Sequence, residues 1–207
     1  MCIRDRLNTS YTPHLLEAGC DEAGRGCLAG PVYAAAVIMP KGYRCPRIDD
    51  SKKLSAKDRY ELRKVIENDA IAYAVAAVSE QEIDKINILN ASFKAMHRAI
   101  AELSVAPELL LIDGNRFNTY DTIEHECVIK GDSLYTSIAA ASILAKTYRD
   151  DHMRELDHEC PDYGWCTNKG YATLTHRIAL QEIGPTKYHR KSFVVKKQLS
   201  LNFEEHG

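Results

Sequence analysis

The run Leu109-Leu110-Leu111-Ile112 constrains the fold more than any other stretch, because consecutive large apolar residues leave neither face of a strand to water. Such a strand is buried on both sides, the position of a central strand in a parallel sheet covered by helices. The run ends abruptly at Asp113-Gly114. A segment carrying Phe93, Met96, Ile100 and Leu103 at helical spacing precedes it, and Pro107 stops that helix. The strand is therefore expected to be reached by a helical crossover and to run parallel to its neighbour.

The other elements follow from the same patterning. Residues 15–22 read as a strand that ends in Asp21-Glu22, and residues 31–39 as a second strand close behind it, so the Gly-rich link predicts an antiparallel hairpin. Ser55 is placed to cap a helix with Leu62, Val65 and Ile66 on its buried face, ahead of a third strand over 71–78. A short strand at 126–129 precedes a long Ala-, Ile- and Leu-rich helix from Ser137 to about Leu156. From Pro161 onward the chain is more polar and reads as a small helical subdomain. With 207 residues, 45% hydrophobic and 27% charged, the chain can build one main core with a small appendage and is not a disordered sequence. It has no apolar run near the ~20 residues of a membrane span. Residues 1–6 lack the apolar core of a signal peptide. A cytoplasmic protein without a membrane partner is expected. Seven cysteines show neither a CxxC pair nor the Cys/His spacing of a zinc site, and read as reduced thiols.

The chemistry concentrates in Ala18-Gly19-Cys20-Asp21-Glu22-Ala23-Gly24-Arg25-Gly26, where two adjacent carboxylates are followed by a glycine-flanked arginine. Clustered carboxylates suit Mg²⁺ or Mn²⁺, and a Gly-Arg-Gly turn bares backbone N–H groups to a phosphate or sugar. The plain alternative is an ordinary turn with a solvated acid pair. In an open α/β sheet the ligand site lies beyond the carboxyl ends of the strands, which brings Asp113 toward Asp21 and Glu22. Strand alternation sends Asp21 and Glu22 to opposite faces, so one of them is expected to leave regular strand geometry. Asp132, in Lys130-Gly131-Asp132-Ser133, precedes the long helix, whose dipole favours a carboxylate there; a helix cap is the plain alternative. Asp150 competes for the role, but 18 positions along a helix amount to ~27 Å, too far to share a metal pair ~3.5–4 Å wide. Asp132 is taken as the fourth acid, and Asp150 as a salt-bridge or cap residue. A net charge of −2 gives no general pull on nucleic acid. Contact with it must come from local clusters: Lys52-Lys53, Lys187 with His189-Arg190-Lys191, and Lys196-Lys197.

Seven segments occur in one order: GCDEAGRGCLAGPVYAAAV at 19–37, DDSKKLS at 49–55, NILNAS at 87–92, LLIDGNRF at 110–117, KGDSLYTSIAAASILAKTYRD at 130–150, NKGYAT at 168–173 and GPTKYHRKSF at 184–193. In these the chain resembles bacterial ribonuclease HII, from about residue 15 to 197. The resemblance implies an α/β, RNase H-like fold: a mixed five-stranded sheet flanked by helices, with a small helical C-terminal extension. The implied division is an N-terminal extension over 1–14, expected to be flexible, a catalytic domain over 15–157, a helical subdomain over 158–197 and a tail over 198–207. The resemblance further implies a monomeric, metal-dependent endoribonuclease acting on RNA–DNA hybrids and on duplex DNA that carries ribonucleotides. It would cut on the 5′ side of the ribonucleotide and leave 3′-hydroxyl and 5′-phosphate ends. Asp21, Glu22, Asp113 and Asp132 would be the catalytic acids and ligands of a two-ion Mg²⁺ or Mn²⁺ site. Gly24, Arg25 and Gly26 would sense the 2′-hydroxyl, and Tyr171 the RNA-to-DNA junction. Lys52, Lys53, Lys146 and the basic residues 187–191 would contact the backbone.

Two positions depart from the family pattern: Cys27 stands where proline is usual and Asn168 where histidine is common. Two-cation hydrolysis needs no side-chain nucleophile, so His97, His125, His152, His158 and His176 read as surface or packing residues. The rival readings are another metal nuclease of this fold class, which the Gly-Arg-Gly and Asn-Lys-Gly-Tyr elements argue against, and a catalytically silent hybrid-binding module, which the four intact acids argue against. Gln198-Leu199-Ser200-Leu201-Asn202-Phe203 resembles the short peptides with which bacterial repair proteins bind the sliding clamp; a self-packed terminus is the alternative.

Overall fold

The computed structural model describes residues 7–48 and 54–193. Lys52, Lys53 and the Gln198–Phe203 peptide lie outside the described residues. Alternation of short apolar runs with amphipathic stretches gives β1 (Glu17–Ala23), β2 (Val32–Ile38), α1 (Ala56–Asp69), β3 (Ala72–Val78), α2 (Glu80–Ala101), β4 (Leu109–Asp113), β5 (Glu124–Val128), α3 (Thr136–Glu159), α4 (Trp165–Asn168) and α5 (Leu174–Ile183). The strands form one sheet in the order β3-β2-β1-β4-β5. β1 to β3 make an antiparallel meander, while β4 runs parallel to β1 and to β5. The hairpin, the crossover and the parallel central strand are thus as expected, and Leu109 to Ile112 are buried throughout.

Strand alternation sends one side chain set to each layer of helices. Ala18, Cys20, Ala34, Ala36, Leu110 and Ile112 pack with Ala91, Ala95, Met96 and Ile100 of α2. On the other face Ala35 and Val37 meet Leu62 and Ile66 of α1 and Leu144 of α3, while Leu109 and Leu111 meet Ile138. Ser55 caps α1 by accepting Asp58 N–H at 3.1 Å, with Leu62 and Ile66 buried and Val65 only half-buried. α2 is broken at Asn87 (φ 65°, ψ 165°), whose side-chain oxygen accepts Asn90 N–H at 3.1 Å and restarts the helix. Leu103 falls beyond the end of α2 but still packs on that core.

Two boundaries differ from expectation. Part of the 1–14 extension is held in place: Leu7 is buried, Asn8 N–H donates to Leu134 O at 2.8 Å, and Thr136 N–H donates to Asn8 O at 3.0 Å. α3 runs on to Glu159, past the division set at 157, and ends where Pro161 follows Cys160. Beyond it, Tyr163, Trp165 and Ala179 pack against Met153 and Leu156 of α3 and against Ala29 of the β1–β2 loop. Among the described residues no helix is long and apolar enough to cross a membrane.

Candidate active site

β1 and β4 pair only as far as Cys20 and Ile112. Each then continues with its outer neighbour, β1 along β2 to Ala23 and β4 along β5 to Asp113. One further register step would set Asp21 opposite Asp113. The two acids therefore stand where the central parallel strands part, on the face that α3 covers. Gly19 makes that cover close: a Cβ there would lie 2.2 Å from the Ser137 carbonyl carbon.

Asp21 and Glu22 both stay in the strand ladder, opposite Ala35 and Ala34, so the expected departure from strand geometry does not occur. None is needed, because β1 beyond Cys20 has no partner on its β4 side: Glu22 lines the cleft there, while Asp21 is buried under α3. Asp21 accepts Glu22 N–H at 2.7 Å and the Ser142 hydroxyl of α3. Glu22 is held by the Arg25 guanidinium at 3.1 Å. Burial raises the Asp21 carboxyl well above the usual range, and the charges of Glu22 and Asp113 push it further. Burial also raises Glu22, with Arg25 opposing the rise. Asp113 accepts Gly131 N–H at 2.7 Å, which ties the end of β4 to the residue beside Asp132. A Cβ on Gly131 would meet Ile138 Cδ1 at 2.5 Å. Asp132 is buried in the 3₁₀ turn Gly131–Ser133 and is not the α3 cap, a position taken by Tyr135. Asp150 pairs with Lys146 at 2.5 Å, the salt-bridge role expected of it.

The structure thus brings the four acids to one end of the sheet. As the side chains stand, no three His, Cys, Asp or Glu residues among the described ones are grouped to hold a metal ion. Asp21, Glu22 and Asp113 each face a donor of the protein itself.

Beside the acids lies a cleft of about 450 Å³ whose lining includes Glu22, Gly24, Arg25, Gly26, Lys146 and Tyr171. Its loop side is anchored by two buried arginines. Arg149 of α3 donates to Pro31 O at 3.0 Å, Lys169 O at 2.8 Å and Ala29 O at 3.1 Å. Arg190 donates to Arg25 O at 2.8 Å and, through its other terminal nitrogen, to Gly24 O at 2.7 Å and Gly30 O at 2.8 Å. Arg190 is therefore no backbone contact for a ligand, contrary to its reading within the basic cluster: it is 2% exposed, and burial lowers its guanidinium to about 10. His189 of the same cluster is buried too. Lys146 lines the cleft but is engaged by Asp150.

Gly170 (φ 82°) sets the opposite wall, since a Cβ there would stand 2.4 Å from Ala29 O. Its carbonyl accepts Leu28 N–H at 2.8 Å. Asn168 fixes this turn, donating to Tyr163 O at 2.7 Å and accepting Gly170 N–H at 2.8 Å. Cys27 is buried under the same wall, hydrogen-bonded to the Tyr171 hydroxyl. The two departures from the family pattern thus both serve as supports of the loop pair. Sequence reasoning missed Arg149, although it continues the buried stripe of Ala145 and Met153 at helical spacing, and a charge on such a stripe needs fixed partners.

The model of the ribonuclease HII family matches residues 18–196. The chain is 63% identical to ribonuclease HII of Bacteroides thetaiotaomicron over 191 residues, 91% of this chain and 96% of that one. It is likewise 63% identical to ribonuclease HII of Parabacteroides distasonis over 189 residues, 91% and 95% of the two chains. Its fold matches that in a solved complex of PCNA with RNase HII from Archaeoglobus fulgidus, with a TM-score of 0.73, 26% identity and coverage of 90% and 98%. The chain belongs to the ribonuclease HII family and is an endonuclease of the ribonuclease H type 2 class.

Proposed function

We propose that the protein incises duplex DNA on the 5′ side of an embedded ribonucleotide, and RNA–DNA hybrid likewise, leaving 3′-hydroxyl and 5′-phosphate ends. The observation that carries this reading is the adjacency of an oxygen-only acid cluster to a cleft walled by the Gly24-Arg25-Gly26 turn and Tyr171. Asp21, Glu22, Asp113 and Asp132 fit a hard divalent cation, Mg²⁺ or Mn²⁺, by their donor chemistry. Asp21 feels the negative charge of Glu22 and Asp113, and Glu22 that of Asp113, an arrangement that a bound cation relieves. A two-ion site, when filled, supplies the Lewis acidity for activating water and stabilising the leaving 3′-oxygen.

The side chains then divide the remaining work. The acids would hold the cations. Backbone groups of the Gly24–Gly26 turn meet the 2′-hydroxyl, which both donates and accepts hydrogen bonds. Arg25, paired with Glu22 when nothing is bound, turns to phosphate. The Tyr171 ring, 41% exposed, offers a face for the sugar at the RNA-to-DNA step. Lys146 screens the backbone from α3, with Lys52 and Lys53 assigned the same task. Residues 160–193 act as a helical support for this wall, and Gln198–Phe203 as a clamp-binding peptide, a reading in keeping with the PCNA complex of the Archaeoglobus fulgidus protein.

The test is incubation with Mg²⁺ or Mn²⁺ and a DNA duplex carrying one ribonucleotide, followed by mapping of the ends. A single cut 5′ to the ribonucleotide is expected. Intact duplex at high enzyme with both metals overturns the reading, and a cut at unmodified DNA points instead to a different nuclease of this fold.

A further inference from the structure

Behind the cleft wall, two buried histidines face each other: His176 Nε2 and His189 Nε2 are 3.1 Å apart. Their outer nitrogens fix the protons. His176 Nδ1 lies 2.9 Å from Tyr171 O, an acceptor only, so Nδ1 carries the hydrogen and Nε2 is a bare acceptor. His189 Nδ1 accepts Thr186 N–H at 2.9 Å, so its hydrogen sits on Nε2 and points at His176. Trp165 Nε1, which can only donate, reaches the same His176 Nε2 at 3.2 Å. Both rings are neutral, and the five groups form one directed network: the Thr186 amide and His189 in series, then His176 with Trp165 joining it, then the Tyr171 carbonyl.

Both ends of this network abut the recognition wall. At one end is the backbone of Tyr171, whose carbonyl His176 shares with Thr173 N–H at 2.8 Å. At the other, His189 directly precedes Arg190, which grips the Gly24, Arg25 and Gly30 carbonyls. We propose that His176 and His189 are positioning residues, a neutral imidazole relay that sets the Tyr171 ring and the Gly24–Gly26 turn at a fixed distance from each other. The proposal rests on the reading of those two elements as substrate contacts. A rigid spacing matters because the ring and the turn must meet neighbouring nucleotides at once, and a 1 Å displacement of one element costs the other its contact.

Long-range proton–nitrogen NMR of the full chain labelled in histidine reads the tautomers with no substrate present. His176 protonated on Nδ1 and His189 on Nε2 is the expected signature; His176 protonated on Nε2 overturns the relay. Kinetics on the single-ribonucleotide duplex test its consequence. His176→Gln removes the Nδ1–H donor, whereas His176→Asn restores an N–H at that point. The Gln variant is expected to raise KM about fivefold to tenfold, as for one lost hydrogen bond, and to lower kcat by less. The Asn variant is expected to recover most of that rise. In a Tyr171→Ala background His176→Gln should add less than about twofold, because its effect passes through Tyr171. A fall confined to kcat, or full additivity with Tyr171→Ala, overturns the proposal. If wild type does not cut, the functional reading falls while the NMR result still decides the relay; if His176→Gln does not fold, His176→Asn and the wild-type spectrum decide it.

Discussion

Asp21 is a residue whose charge the fold resists. Its folded carboxyl is raised, first by burial and then by Glu22 and Asp113, so its contribution to stability is greatest at acid pH and is lost as pH rises through the folded value. At neutral pH it destabilises the metal-free protein. Asp21→Asn keeps an oxygen for Glu22 N–H and removes the repulsion. We expect the metal-free melting temperature to rise, by about 2–4 °C for each ~1 kcal/mol relieved, while incision is lost; calorimetry showing a lower melting temperature contradicts this. Asp113→Asn similarly leaves an acceptor for Gly131 N–H, and is expected to keep the fold and lower kcat at least about 100-fold, as when a charge-stabilising group is removed. A near wild-type rate would take Asp113 out of the metal site. For Tyr171, replacement by Phe retains the ring face and should change KM less than about threefold, whereas Ala should raise it tenfold or more; a Phe variant as impaired as Ala would assign the work to the hydroxyl and its Cys27 contact. The acids were legible because carboxylates at the ends of apolar strands have few structural reasons to be there. Arg190 was not, since its lysine and histidine neighbours give the local sequence the look of a solvated basic face, and only the long-range pairing with residues 24–30 distinguishes it.

At the scale of elements, the site depends on how closely α3 lies on β1. The absence of a side chain at Gly19 permits it, and Gly19→Ala forces a methyl into the Ser137 backbone. Overpacking of this kind costs roughly 1–3 kcal/mol, and the helix must lift from the strand that carries Asp21. We expect a lower melting temperature together with weaker metal binding by titration calorimetry; unchanged values for both would mean that α3 adjusts freely. The strands, the crossover and the long helix were readable from hydrophobic period alone, because each buries a face of regular spacing. The break in α2 was not: Asn87 carries a left-handed φ inside an otherwise uniform helical pattern, and asparagine at such a point is also an ordinary exposed helix residue. Nor was the register step that leaves Asp21–Ala23 without a β4 partner, since it follows from where β5 draws β4 away.

Over the whole molecule, the titrating groups pull against each other. His189 is lowered from about 6.5 to about 4 by burial and by His176, so the stability it contributes is complete above about 6.5 and is lost as pH falls toward 4. The raised carboxyls of Asp21 and Glu22 act in the opposite sense. Denaturant unfolding between pH 7 and pH 4 should therefore show a steeper loss of stability in Asp21→Asn than in wild type, and parallel curves would refute the opposition. The chain's net charge of −2 raises the question of how it draws a polyanion, and the buried Arg190 guanidinium offers an answer. In a trans peptide the N–H of one residue points opposite to the carbonyl before it. Arg190 turns the Gly24 and Arg25 carbonyls inward, and the amide hydrogens of Arg25 and Gly26 consequently point away from the core. Outward amides of this kind have the geometry suited to accepting an anion. The fold in this way relays buried cationic charge to its surface through peptide dipoles, which no exchange of exposed lysines can erase.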